Sequence, residues 1–349
     1  MRIDAVTVAG YTSIRDADVR LRPLNVLVGA NGAGKSNFVR ALELLGRIVD
    51  KDLQLYVGIN GGPSALLHKP RAEKLTLKVE SLGVRYEAVL RRTVDERLIF
   101  QDERITNRDE TLGTGGGHYE SILDARDDGD VVHLLRGVRV YHFHDTSASA
   151  PVKQFGPTAD NLRLQSDAGN LAALLWRLQE NRPAVYREIS ESVRRVAPFF
   201  RDFVLEPERT DEIRLRWRQV DSDTVFSAHQ LSDGTLRFIC LATLLLSPDL
   251  PHLVALDEPE LGLHPFAIVQ LAEMLRAASA ESQVVVATQS VTLIDQLSLE
   301  DLIVVEREDG SSVFRRPSPD RLTAWLDEYS LGELWQKNLI GGRPRREVA

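Results

Sequence analysis

The segment Gly29-Ala30-Asn31-Gly32-Ala33-Gly34-Lys35-Ser36 limits the possible folds more than any other part of the chain. It matches the pattern of a phosphate-binding P-loop in full. An apolar run at Leu24–Val28 precedes it, and a helical periodicity over Phe38–Val49 follows it, so a strand, a glycine-rich turn and a helix come in direct succession. Glycines let consecutive main-chain N–H groups turn toward phosphate oxygens, and the helix presents its positive N-terminal end to the same anion. The sequence therefore predicts a nucleotide-binding α/β fold.

Two side chains of this segment carry specific chemistry. Lys35 is expected to reach the terminal phosphates, and the Ser36 hydroxyl is expected to ligate Mg²⁺. The predicted cofactors are therefore ATP and Mg²⁺. The residues expected to surround the nucleotide here are Asn31, Gly32, Ala33, Gly34, Lys35, Ser36 and Asn37.

A second group of candidate residues ends the apolar strand predicted at Leu253–Leu256. Asp257 and Glu258 follow this run directly, which places two carboxylates at the carboxyl edge of a sheet, where ligands bind in open α/β folds. Adjacent strand residues point in opposite directions, so one acid can hold a metal while the other faces a water. We assign Asp257 to Mg²⁺, and Glu258 to the general base or water-orienting group that acts on the γ-phosphate.

The remaining patterns divide the chain into regions. Short alternating segments predict an antiparallel layer, and they are Leu75–Val79, Val84–Leu90 and Leu98–Ile105. Asn107–Asp130 is rich in Gly, Asp and Glu and is interpreted as a mobile loop. Leu171–Leu178 and Val185–Val196 are predicted helices separated near Pro183. After Leu231 helices and strands alternate, which favours a parallel sheet with helical crossovers.

Composition excludes several classes of protein. The chain has 349 residues, 43% hydrophobic and 27% charged, which is typical of a soluble globular protein. Its one cysteine, Cys240, cannot form an internal disulfide, and no apolar run approaches the roughly 20 residues that span a bilayer. With no signal peptide visible, we expect a cytoplasmic protein without a membrane partner. The net charge of −8 does not indicate nucleic-acid binding, although it leaves a local basic patch possible.

Three further segments accompany the P-loop and the two acids in the sequence. Leu231–Arg237 reads Leu-Ser-Asp-Gly-Thr-Leu-Arg before a predicted helix, for which a plain Ser N-cap is the local alternative. Pro259–Pro265 follows the two acids, and Ala287–Ser290 ends a strand. In this order the motifs resemble the signature, D-loop and switch of ATP-binding-cassette (ABC) ATPases. The resemblance is to the RecF/SMC-like branch, to stand-alone bacterial RecF-like ATPases of the ABC-class AAA family, and to the ATPase part of overcoming-lysogenization-defect proteins.

The resemblance implies roles for several residues. Ser232 and Gly234 would contact the γ-phosphate held by a second subunit. Gln289 stands at the switch position, where the family usually has histidine; an amide can donate a hydrogen bond to phosphate but cannot shuttle a proton. The glutamine that links the second lobe to Mg²⁺ is either Gln154 or Gln165, and we favour Gln154.

The resemblance also implies an architecture and a mode of action. It predicts an ABC-ATPase head over residues 1–349, with a mixed central sheet, an antiparallel β layer and a helical lobe. Lobe I would comprise about 1–150 plus 245–315, the helical signature lobe about 151–244, and a C-terminal extension 316–349. ATP would close a homodimer that acts on double-stranded DNA or a partner protein, in DNA repair, genome maintenance or phage defence. The alternatives are an ABC transporter energising subunit, a non-hydrolysing ATP-gated scaffold and a small-molecule kinase.

One pair of histidines suggests a metal site. His142 and His144 would share one face of a strand predicted at Val138–Phe143. Because no further His or Cys cluster completes the ligand set, we interpret the pair as a packed or hydrogen-bonded strand face.

Overall fold

Most of the strands belong to two sheets, one antiparallel and one mixed. The computed structural model describes residues 2–68, 72–107, 110–123, 129–208, 210–322, 325 and 328–342. In chain order the strands are Ala5–Tyr11 (β1), Ile14–Arg20 (β2), Leu24–Val28 (β3), Lys74–Ser81 (β4), Val84–Arg92 (β5), Leu98–Asn107 (β6), Glu110–Gly115 (β7), Val138–Tyr141 (β8), Gly156–Pro157 (β9), Phe200–Phe203 (β10), Glu212–Ile213 (β11), Arg216–Gln219 (β12), Val225–Ser227 (β13), Leu253–Asp257 (β14), Gln283–Thr288 (β15), Leu302–Glu308 (β16) and Ser311–Arg315 (β17). The α-helices are Lys35–Val49 (α1), Leu53–Ile59 (α2), Pro63–Leu66 (α3), Gly129–Arg136 (α4), Leu171–Asn181 (α5), Pro183–Val196 (α6), Asp233–Leu245 (α7), Pro265–Glu281 (α8), Val291–Ile294 (α9) and Leu331–Gln336 (α10).

The mixed sheet is the centre of the fold and has the strand order β17-β16-β3-β15-β14-β8. Neighbouring strands from β16 to β8 are parallel, and β17 pairs with β16 antiparallel. β3 and β15 are buried along their whole length, as expected for parallel strands that are covered on both faces. The predicted parallel sheet with helical crossovers is therefore confirmed, and β17 makes it mixed.

This sheet separates two hydrophobic cores. Val26 and Val28 of β3 pack in one core with α5, α7 and α8, whereas Leu27 packs in the other core with Phe38 of α1. Successive strand residues point to opposite faces, so one apolar strand supplies both cores. Because α1 lies in the second core together with β1, β4 and β5, the P-loop helix is enclosed between the two sheets.

The antiparallel sheet has the order β2-β1-β4-β5-β6-β7 and confirms the predicted antiparallel layer. The loop prediction for Asn107–Asp130 is wrong for part of that segment, because β7 pairs with β6 and α4 begins at Gly129. One of its glycines is required by close packing, because a Cβ on Gly116 would lie 2.3 Å from the Gln101 carbonyl oxygen. The Asp-rich residues 124–128 lie outside the described residues.

Small helices and strands complete the fold between β8 and α7. The helix break predicted near Pro183 is confirmed, since α5 ends at Asn181 and Pro183 is the first residue of α6. β10, β12 and β13 form a separate antiparallel sheet, and β9 pairs with β11. The division into lobe I, a helical signature lobe and a C-terminal extension stays a prediction.

No helix in the described part of the chain combines the length and the apolar character needed to cross a lipid bilayer.

Gln283, the first residue of β15, connects the beginning of the chain to the central sheet. Its Oε1 accepts a hydrogen bond from the Ile3 main-chain nitrogen at 2.6 Å, and its Nε2 donates to the Ile3 carbonyl oxygen at 2.8 Å. The side chain is 1% exposed. The two sheets are thus joined by a buried amide that satisfies both main-chain groups of one residue.

We predict that Gln283→Leu lowers the free energy of unfolding by about 1–3 kcal/mol, because it leaves two buried main-chain groups without partners. Urea unfolding measures this difference. Gln219→Leu, on an exposed position of β12, is the matched control and should change stability little. Equal effects of the two substitutions would contradict the assigned role of Gln283.

Candidate active site

The P-loop turn depends on glycine at particular positions. Gly32 and Gly34 adopt φ values of +75° and +112°, in the left-handed region that disfavours other residues. Gly29 is required for a different reason, since a Cβ there would lie 2.2 Å from the Val305 carbonyl oxygen of β16. The loop therefore has the main-chain shape that turns N–H groups toward an anion, at the N-terminus of the fifteen-residue helix α1.

Lys35 is the buried cation of this loop. It is 4% exposed, and its Nζ donates to the carbonyl oxygens of Gly29 at 2.9 Å and Ala30 at 3.0 Å. Burial lowers the pKa of the Lys35 ammonium, and the nearby carboxylates of Glu258, Asp257 and Glu260 oppose that shift. The hydrogen bonds of the ammonium thus go to neutral carbonyls, which a phosphate can replace.

The carboxyl end of β14 places the two predicted acids beside this loop. The strand ends at Asp257, and Glu258 follows it with a φ of +46° and a main-chain nitrogen that donates to the Ala287 carbonyl oxygen at 2.7 Å. The alternation argument therefore does not apply to Glu258; its left-handed backbone, rather than the strand pleat, directs its side chain. Asp257 Oδ1 is buried and has no hydrogen-bond partner. An orphaned carboxylate oxygen is a suitable ligand for a hard divalent cation, so the donors present fit Mg²⁺.

The end of β15 lies next to Glu258. Gln289 Nε2 donates to Glu258 Oε1 at 2.5 Å, so the predicted switch residue and the predicted base are in direct contact. Glu260 connects the same segments, because its Oε1 accepts from the Thr288 hydroxyl at 2.5 Å and from the Gln289 main-chain nitrogen at 3.4 Å. Burial raises the pKa of the Glu260 carboxyl, although the hydrogen bond from Thr288 acts in the opposite direction.

The signature segment caps α7. Ser232 is exposed, and its Oγ accepts from the Thr235 main-chain nitrogen at 3.2 Å, so the N-cap role is present. A Cβ on Gly234 would lie 2.4 Å from the Gly262 carbonyl oxygen, so the signature and the D-loop segment are in close contact. Arg237 strengthens this junction by donating to the carbonyl oxygens of Leu261, His144 and Phe143 at 2.8, 2.9 and 3.2 Å.

Other predicted residues occupy different positions. Asn31 and Gly32 are exposed at the tip of the loop. The Asn37 side-chain amide donates to the Ser13 hydroxyl at 2.7 Å, so it is engaged by another residue of the protein. Gln154 is exposed and donates to the Ala148 carbonyl oxygen at 2.8 Å, whereas the Gln165 side chain is bonded to Asp160. The choice between the two glutamines stays a prediction.

The two histidines lie beyond the end of β8, which stops at Tyr141 and is therefore shorter than predicted. The ring centroids of His142 and His144 are 6.5 Å apart, and His142 Nε2 lies 3.9 Å from a Glu43 carboxylate oxygen. No group of three or more metal-ligating side chains occurs among the described residues.

Sequence reasoning missed the roles of Arg237, Glu260 and two serines that contact the loop, Ser13 and Ser312. Arg237 lies in the signature segment and Glu260 in the D-loop segment, so their positions in these motifs could have identified them as candidate site residues. Ser13 and Ser312 gave none, because they lie 299 positions apart and meet only through the fold.

We predict that Glu260→Gln stabilises the protein increasingly as the pH rises. Because burial raises the pKa of Glu260 in the folded state, the native protein loses stability as the pH rises through that pKa, whereas glutamine does not titrate and still accepts from Thr288. Urea unfolding from about pH 5 to about pH 8 measures the difference in unfolding free energy between variant and wild type. The difference should widen with pH for Glu260→Gln and stay flat for the exposed Glu273→Gln; a constant difference for both would contradict the prediction.

The comparisons with known proteins bear on the family and the fold of the chain. The family model described as "AAA domain, putative AbiEii toxin, Type IV TA system" matches residues 24–295. An Smc head bound to the C-winged helix domain of ScpA superposes with a TM-score of 0.63 at 17% identity, covering 93% of this chain and 100% of that chain. An Smc head with an extended coiled coil, bound to the C-terminal domain of ScpA and derived from Pyrococcus furiosus, gives a TM-score of 0.61 at 16% identity, covering 94% and 99%. No curated protein matches the sequence.

At these identities the solved structures show a shared fold, and the family model covers most of the chain. The P-loop, the acids after β14 and the switch glutamine all lie within the matched residues. The chain therefore belongs to the AbiEii-like AAA-domain family and has the P-loop ATPase fold of SMC heads.

Proposed function

We propose that the protein is a RecF/SMC-like ATPase that binds ATP between the P-loop of one copy and the signature segment of a second copy. The observation that carries the proposal is the convergence of Lys35, Asp257, Glu258 and Gln289 at one edge of the central sheet, while Ser232 of the same chain is exposed. The hydrogen bonds of Ser232 stay within α7 and do not reach the P-loop of its own chain. An exposed signature is free to meet nucleotide bound to another copy.

The P-loop would hold the phosphates of ATP. The N–H groups of the loop and the N-terminus of α1 favour an anion, and Lys35 would exchange its two carbonyl partners for phosphate oxygens. Ser36 and Asp257 would hold Mg²⁺, which neutralises charge on the phosphates when it is bound. Asp257 Oδ1, which is buried without a partner, supports this assignment.

Glu258 would orient the attacking water. Its carboxylate is bound by Gln289 in this structure, so attack on the γ-phosphate requires that contact to loosen or to share the oxygen with water. Gln289 can donate to a γ-phosphate oxygen but cannot take up a proton near neutral pH. The same contact favours the second candidate function, a non-hydrolysing ATP-gated scaffold, because it holds the base in a resting position.

The closed homodimer would be the state that acts on another molecule. The resemblance supports double-stranded DNA or a partner protein as that molecule, in DNA repair, genome maintenance or phage defence. The Smc heads with the same fold are described in complex with ScpA, which supports a search for a partner protein here. Turnover measured with and without double-stranded DNA tests the nucleic-acid branch of the proposal.

We predict that Lys35→Ala and Ser232→Arg each lower ATP turnover by roughly 100-fold or more, because each removes transition-state contacts to phosphate from one side of the shared site. Phosphate release from the purified protein measures this loss. Lys74→Ala and Ser318→Arg alter exposed positions outside the site and are the matched controls. Turnover that survives Ser232→Arg would mean hydrolysis within one subunit, and the dimer mechanism would have to be dropped.

We predict that Glu258→Gln binds ATP, hydrolyses it poorly and accumulates as an ATP-dependent dimer. The substitution removes the carboxylate that orients water and leaves the P-loop and signature intact. Light scattering after size-exclusion chromatography, with and without ATP and Mg²⁺, measures the mass. The double variant with Lys35→Ala should stay monomeric; a monomeric Glu258→Gln at saturating ATP would contradict the shared site.

A further inference from the structure

Three segments meet behind the P-loop through Ser13, Asn37 and Ser312, which we call the serine clamp. Ser13 lies in the turn between β1 and β2, Asn37 in α1, and Ser312 in β17. The Asn37 amide donates to Ser13 Oγ at 2.7 Å, the two serine hydroxyls are 2.7 Å apart, and Ser312 Oγ donates to the Ala33 carbonyl oxygen at 2.6 Å. Ser312 is fully buried, and its bond to the Ala33 carbonyl forms away from water, whereas Ser13 and Asn37 are half-buried.

The donor and acceptor groups present fix the direction of each hydrogen bond in the clamp. The Ala33 carbonyl only accepts, so the single hydroxyl hydrogen of Ser312 is used there. Ser13 must then donate to Ser312, and the Asn37 amide must donate to Ser13. The successive donors are Asn37, Ser13 and Ser312. The Ala33 carbonyl is the final acceptor, and each bond polarises the next.

The last bond of the clamp sets the orientation of one P-loop peptide. The Ala33 C=O and the Gly34 N–H belong to the same planar trans peptide unit and point in opposite directions. When the Ser312 hydroxyl holds the Ala33 carbonyl toward the interior, the Gly34 N–H is directed to the opposite side, where the loop faces its anion.

The clamp also explains the glycine at position 34. A Cβ on Gly34 would lie 2.0 Å from Ser312 Oγ and 2.8 Å from Ser13 Oγ. The clamp and the left-handed φ of +112° therefore demand glycine independently. A main-chain bond from the Ser312 nitrogen to the Ser13 carbonyl oxygen, at 2.8 Å, fixes β17 to the β1–β2 turn.

We propose that Ser312 is a positioning residue for phosphate binding, acting through the Ala33–Gly34 peptide. This inference rests on the proposed function, since it assumes that the loop binds the phosphates of ATP. It adds Ser312, a residue of β17 outside all the sequence motifs, to the machinery of that site.

The test compares Ser312→Ala with Ser311→Ala in the full-length protein. Ser311 is the adjacent residue of the same strand, and its Oγ is buried without a partner, so its removal breaks no hydrogen bond. Two quantities are measured: hydrogen exchange of the P-loop amides in nucleotide-free protein, and the Kd for ATP with Mg²⁺ by calorimetry. The KM and kcat for ATP follow as a third readout.

Ser312→Ala should speed exchange of the P-loop amides and weaken ATP binding roughly 3- to 10-fold, the loss expected for one buried hydrogen bond. It should raise KM with kcat nearly unchanged, whereas general destabilisation would lower kcat through a smaller active fraction. Ser311→Ala should match the wild type. If Ser312→Ala does not fold, Ser13→Ala, at a half-buried position, should show a smaller loss of the same sign.

Unchanged exchange in Ser312→Ala would overturn the clamp, whatever the protein binds. Faster exchange with unchanged ATP affinity would overturn the phosphate-positioning role. A wild-type protein without affinity for ATP would overturn the proposed function and this role with it, and the Kd of the wild type separates that result from the other two.

Discussion

The site depends on how closely the P-loop main chain is packed against β16 and β17. Gly29 lies against a carbonyl oxygen of β16 and Gly34 against a serine of β17, and neither place has room for a Cβ. β16 and the edge strand β17 of the central sheet thus shape the loop that follows β3. The nucleotide site therefore consists of more than β3, the loop and α1, because β16 and β17 also support the loop from the side.

The central sheet also decides which chemical groups meet. β3, β14 and β15 are parallel neighbours, so the P-loop, Asp257 and Gln289 lie at the carboxyl ends of their strands at one edge, although the P-loop is more than two hundred residues from the other two along the chain. The alternating residues of these strands supply two cores, one enclosing α1 and one enclosing α7 and α8. The helix that carries the P-loop and the helix that carries the signature therefore lie on opposite faces of one sheet.

Sequence reasoning located the strands and helices where a motif occupies consecutive residues. The P-loop, the two acids after β14 and the glutamine after β15 each lie next to a strand of apolar residues, and such strands are recognised by their composition. It failed where polar residues form regular structure, as in β7, and where a contact joins distant segments, as in the serine clamp and the three carbonyls that Arg237 binds. It also assigned the orientation of Glu258 to strand alternation, whereas a left-handed backbone after the strand sets it. The local sequence pattern predicts helices, strands and the ends of strands. The contacts between distant segments that shape the site depend on tertiary packing.

The hydrogen bonds of the site fall into two classes, and the difference bears on how nucleotide would act. The last bond of the serine clamp, from Ser312 to the Ala33 carbonyl, is buried and holds the main chain of the loop. The bonds of Lys35 to two loop carbonyls and of Gln289 to Glu258 lie on the reactive side, and each can be exchanged for a bond to phosphate or water. Asp257 Oδ1 has no hydrogen bond to exchange. Under the proposed function, ATP would replace the internal partners of Lys35 without rebuilding the loop, and loosening of the contact between Gln289 and Glu258 would separate ATP binding from ATP hydrolysis.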